Sequence, residues 1–168
     1  YQEQALEMYK KLYGDSAHPD IARLLGSMGI DYENMGEVEK AKQHFEEGLA
    51  ISHKLDASVA TSYIQVLTQK LLNLDYTAAI TAYQQQDVTG AIYHYREVLK
   101  ILPEGLQDLK RSICHNLGCM YHIEAISTDS AEDRQAYLNK AAETFEKAIT
   151  IDDMPPIDTI TEYANFLI

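Results

Sequence analysis

The chain has 168 residues, 46% of them apolar and 24% charged, and a net charge of −12. This is enough chain for one packed domain, and the composition is that of a globular protein rather than a disordered one. The excess acid disfavours nucleic acid and anionic membranes as partners, because both attract Lys and Arg, and no run of apolar residues is long enough to span a bilayer.

The opening segment YQEQALEMYK has neither the basic flank nor the apolar stretch of a signal peptide. It reads as a helix already in progress over residues 1–14. The last segment, 157–168, reads as a helix cut short. The expectation is therefore an excerpt of a longer protein, whose exposed end faces could self-associate. Gly14 is placed to stop the first helix, Pro19 to open the next at its first position, and Asp20 to sit in the first turn.

Residues 19–34 read as a helix, 34–37 as a turn with Gly36 in the left-handed position, and 38–53 as a second helix. Gly29, Ala41 and Gly48 lack bulk, so the two helices can approach closely. From Asp56 onward neither Pro nor Gly interrupts the chain until residue 90, which favours one long helix over about 58–86. DVTGAIYHYREVLKILPE follows as a helix with Asp87 at its N-cap and Pro103 beyond its end. The next pair spans about 106–127 and 133–151, with STDSAEDRQA lengthening the hairpin, and Pro155 and Pro156 close it.

Three stretches carry a recurring pattern: residues 22–53, LGCMY at 117–121, and AAETFEKAI at 141–149. They resemble the tetratricopeptide repeat, and residues 5–53, with their HPD-I-A linker, resemble the repeats of kinesin light chains. The resemblance implies an all-α fold: a right-handed superhelical solenoid of antiparallel helix pairs, with about three repeats plus partial end helices. It implies a single domain over 1–168, divided into a partial repeat at 1–14, repeats at 19–53, 56–104 and 106–153, and a partial helix at 157–168.

The resemblance also implies a non-catalytic module that holds a peptide or helical segment of a partner protein in a concave groove. A structural spacer or oligomerising scaffold is the alternative. The implied groove residues are Arg23, Gly26, Ser27, Ile30, Glu33 and Asn34 in the first repeat. Asn73, Tyr76, Thr77, Ile80, Tyr83 and Gln84 follow in the second, and Ser112, His115, Asn116, Cys119 and His122 in the third. Gly26 and Ile30 stand where chaperone-binding members carry Lys and Asn, so a carboxylate clamp is not implied. The net charge favours a basic or neutral partner.

His115, Cys119 and His122 share one helix face at a spacing able to ligate zinc, yet no acidic neighbour completes a set. No metal and no cofactor is expected. No phosphate-binding glycine motif, nucleophile elbow or H-E-x-x-H sequence occurs, so no catalytic residue is assigned. Cys114 and Cys119, five residues apart on a helix, point about 140° from one another. Free thiols in a cytoplasmic, reducing setting are the expectation.

Overall fold

A computed structural model describes residues 1–14 and 16–151. Seven α-helices occur among them: α1 (Gln2–Tyr13), α2 (Pro19–Asn34), α3 (Val38–Ser52), α4 (Ala57–Gln84), α5 (Val88–Ile101), α6 (Gln107–Ser127) and α7 (Ala131–Thr150). No strand is present among the described residues. The closing prolines and the helix expected at 157–168 lie outside the described residues. Two compact units divide the chain, residues 1–74 and 75–168, with the division inside α4.

In the first unit, the punctuation of the sequence sets the helix ends. Gly14 takes a left-handed φ of 59° after α1. His18 then caps α2: its Nδ1 accepts from the Asp20 amide at 3.2 Å, while Pro19 occupies the first turn. Tyr13 stacks on the His18 ring at 3.6 Å between centroids, which fixes the linker against α1. Gly36, with φ 76°, reverses the chain between α2 and α3.

Those two helices pack antiparallel at very short range. A Cβ added to Gly29 would lie 2.4 Å from Cε1 of Phe45. The ring fills the space that a side chain at Gly29 would need. Phe45 is fully buried with Leu25, Met28 and Ala41, and burial of one such ring stabilises the fold by about 2–3 kcal/mol. The first half of α4 closes this core, with Leu67 meeting the backbone of both Gly26 and Gly48.

The second unit repeats this contact. A Cβ on Gly118 of α6 would come within 2.7 Å of the Phe145 ring of α7. Phe145 is again fully buried, with Ile113, Leu117 and Ala141 around it. The STDSAEDRQA segment is mostly helical: α6 continues to Ser127, and α7 begins two residues earlier than the spacing predicts. Ser130 supplies the reason, since its hydroxyl accepts from the Asp133 amide and caps α7. The added length brings Tyr137 to stack on Tyr121, and Lys140 lies over both rings, as Lys40 lies over Tyr32 in the first unit. Asp87 caps α5 by accepting from the Gly90 amide at 2.9 Å.

Candidate functional site

Side chains of α2 and α4 line a cleft within the first unit. Arg23, Gly26, Ser27 and Ile30, successive turns of one face of α2, form one wall. Ser62, Tyr63, Val66 and Lys70, on the first half of α4, form the other. Leu67 and Phe45 make the floor, and the hollow measures about 340 Å³. Ile30 is 38% exposed and Val66 58%, so apolar surface faces water on both walls.

The charges of this cleft are already matched. Arg23 Nη2 lies 3.1 Å from Asp20 Oδ1, and Lys70 Nζ lies 2.8 Å from Glu33 Oε2. The carboxylate of Asp20 holds the Arg23 guanidinium above its ordinary pKa, first through the hydrogen bond and then through charge. Ser27 donates its hydroxyl to the Arg23 carbonyl at 3.1 Å. With both cations paired, the walls present apolar surface and a neutral rim.

Asn34 is set apart from this group: it lines a separate hollow with Gln2, Asp31 and Met35, on the side of α2 that meets α1. Asn73 is exposed, and its Oδ1 accepts from Gln69 at 2.9 Å. The opposite wall on α4 was not legible from the repeat pattern. Its signal was the spacing of Val66, Lys70 and Asn73, which share one helical face.

In the second unit, two of the expected residues meet at a third, Tyr95 of α5. Tyr76 packs its ring edge-on to Tyr95 at 6.1 Å, and Asn116 Nδ2 donates to the Tyr95 hydroxyl at 3.2 Å. Burial pushes the Tyr95 phenol above its ordinary range, with the Asn116 hydrogen bond opposing. Beside it, His94 Nδ1 lies 2.9 Å from Oδ1 of Asp75, which is buried at 2% exposure. Tyr83 and Gln84 are exposed near the end of α4.

On α6, Ser112 returns its hydroxyl to the Asp108 carbonyl at 3.0 Å. His115 turns toward the core, edge-on to Phe145 at 6.0 Å, and its buried Nδ1 lacks a hydrogen-bond partner. Cys119 Sγ approaches His115 Nε2 at 3.7 Å, and His122 is half-buried. Among the described residues, no group of three or more His, Cys, Asp or Glu stands where it could hold a metal ion. Neither cysteine forms a disulfide among the described residues. Burial raises the Cys114 thiol, and Lys110 and Lys147 oppose that shift.

Among the described residues, no helix is long and apolar enough to cross a membrane. The chain matches no known protein family and no characterised protein.

Proposed function

We propose that the chain is a non-catalytic binding module of tetratricopeptide-repeat-like helix pairs, and that the α2/α4 cleft holds a peptide segment of another protein. The repeat reading is supported by recurrence. Gly29 and Phe45 are sixteen residues apart, as are Ala79 and Tyr95, and Gly118 and Phe145 keep the same contact across the longer hairpin. Ala41, Ala91 and Ala141, at the corresponding places on the second helices, are all fully buried. Stacked pairs of this kind bury faces that a single pair leaves open, and their continuous surfaces suit extended ligands.

The observation that carries the binding reading is the exposed apolar pair Ile30 and Val66 facing one cleft whose two cations are neutralised by Asp20 and Glu33. Such a hollow suits an apolar anchor on a neutral or basic segment, with the acidic surroundings assisting approach. Peptides selected for the wild-type chain from a random display library test it. Ile30→Glu and Val66→Glu are expected to weaken the selected peptides by at least about tenfold, which is about 1.4 kcal/mol. Both positions are exposed, so circular dichroism should be unchanged. Undiminished binding to both variants would overturn the reading.

One observation favours self-association as a second reading. Met8 and Leu12 on α1 are 70% and 71% exposed, and with Ala5 and Tyr9 they line an apolar hollow. Light scattering over a concentration series should show a dimer that Met8→Glu and Leu12→Glu abolish. A chain that stays monomeric throughout removes this reading.

A further inference from the structure

The chain carries fourteen basic side chains against twenty-six acidic ones, yet four of the fourteen line one hollow in the second unit. Arg96 and Lys100 of α5 and Lys140 and Lys147 of α7 surround a cleft of about 450 Å³, floored by Leu117 and Tyr121 of α6. Glu143 is the single acidic residue in the lining.

Two of the four cations are matched. Lys147 Nζ lies 2.6 Å from Glu143 Oε1, and Lys100 Nζ lies 2.5 Å from Glu97 Oε1. Among the described residues, the other two have no carboxylate partner. Lys140 sits over aromatic faces, 5.8 Å from the Tyr121 ring and 5.3 Å from that of Tyr137. This contact steadies the ammonium but brings it no anion. Arg96 is exposed and forms no ion pair among the described residues. Burial raises the Tyr121 phenol at the floor of the cleft, Arg96 and Lys147 oppose that shift, and Glu143 adds to it.

Like charges gathered in a hollow raise one another's energy, and a concave low-dielectric wall focuses their field outward. On a strongly acidic chain this is a local inversion of sign. An arriving pair of carboxylates would relieve the repulsion, with Arg96 able to grip one of them through two parallel hydrogen bonds. The apolar floor favours a ligand that also brings an apolar side chain, which a peptide supplies and a free phosphate does not.

We infer that the α5/α6/α7 cleft is a second binding site, for an acidic segment of a partner protein with an apolar residue between its carboxylates. It differs in sign preference from the α2/α4 cleft and is lined by none of the same residues.

The test is fluorescence anisotropy with three labelled probes: a peptide of alternating Glu and Leu, its Gln and Leu counterpart, and single-stranded polyuridine RNA. The Glu peptide should bind, and less tightly as salt is added. Arg96→Glu and Lys140→Glu should each weaken it by about tenfold or more. Lys54→Glu, which makes the same change in net charge outside the cleft, should leave it within about twofold. Arg96→Gln and Lys140→Gln should give smaller losses in the same order, and they cover the case of a charge reversal that disturbs folding. Equal binding of the Gln peptide, equal loss in Lys54→Glu, or RNA binding as tight as the Glu peptide would each overturn the inference. Ile30→Glu is expected to leave this binding intact, which separates the two clefts.

Discussion

In the α2/α3 pair Phe45 covers Gly29, and in the α6/α7 pair Phe145 covers Gly118. The first pair uses helices of 16 and 15 residues, the second helices of 21 and 20. The contact that sets the distance between the helices is the same, and only the length beyond it differs. That extra length carries Tyr137, which stacks on Tyr121, whereas Lys140 over Tyr121 has its counterpart in Lys40 over Tyr32 of the shorter pair. The pairs therefore share a packing rule but not a surface: the α2/α4 cleft is apolar and charge-matched, whereas the α5/α6/α7 cleft is cationic. Phe45 both covers Gly29 and floors the α2/α4 cleft, whereas Phe145 covers Gly118 and does not line the α5/α6/α7 cleft.

The largest expected effects bear on the shared contact. Phe45→Ala and Phe145→Ala remove fully buried rings, and each should lower stability by about 3–5 kcal/mol in denaturant titrations. Gly29→Ala and Gly118→Ala should each cost about 1–3 kcal/mol, because the new methyl meets the ring well inside contact distance. Adding Phe45→Leu to Gly29→Ala should recover part of the loss, a coupling between neighbours that independent sites lack. If Gly29→Ala proved costly and Gly118→Ala harmless, the two contacts would not be equivalent and the comparison would fail.

Much of this contact was legible in the sequence, since small residues at Gly29, Ala41 and Gly48 opposite Phe45 admit few arrangements other than a close helix pair. The long α4 was also legible, because no Pro or Gly interrupts residues 57–84. The clefts were less so. Arg23, Ser27 and Ile30 recur at helical spacing on α2, but Val66 and Lys70 across the cleft from them follow no motif. Tyr95 takes the place that Phe45 and Phe145 hold elsewhere, so pattern reading marks it as core. Its hydroxyl nevertheless accepts the Asn116 hydrogen bond. The cationic cleft joins residues from α5 and α7, about 40 positions apart. A whole-chain net charge of −12 averages it away.

The two units also differ in what they bury. Among the described residues the buried polar side chains are Ser52 in the first and Asp75 in the second. Ser52 donates to the Gly48 carbonyl of its own helix at 2.8 Å, so Ser52→Ala should cost only about 0.5–1 kcal/mol. Asp75 holds a tertiary contact to His94. Asp75→Ala should cost about 2 kcal/mol, because a charged acceptor is lost and its partner is left without it. Equal costs at the two positions would mean that the Asp75–His94 contact adds nothing beyond a local helix bond.

The smallest expected effect is a dependence on alkaline pH to which three buried groups of the second unit contribute. Burial raises three groups there: the Cys114 thiol, and the Tyr95 and Tyr121 phenols. Neighbouring cations oppose the shift at Cys114 and Tyr121, and Asn116 opposes it at Tyr95. A raised value in the folded state means that the folded chain holds the proton more tightly than the unfolded one. The stabilisation is then complete below the ordinary values of 9.0 for the thiol and 10.0 for the phenols, and it is lost as pH rises through the raised ones. Denaturant midpoints followed from about pH 8 to about pH 11 should fall for the wild type, with the thiol contributing first. In Cys114→Ala that first part of the fall should be missing, while the later part, from the phenols, remains. Identical curves for the two proteins would show that the thiol takes no part, and that the fall with pH is carried by the other groups that lose protons in this range.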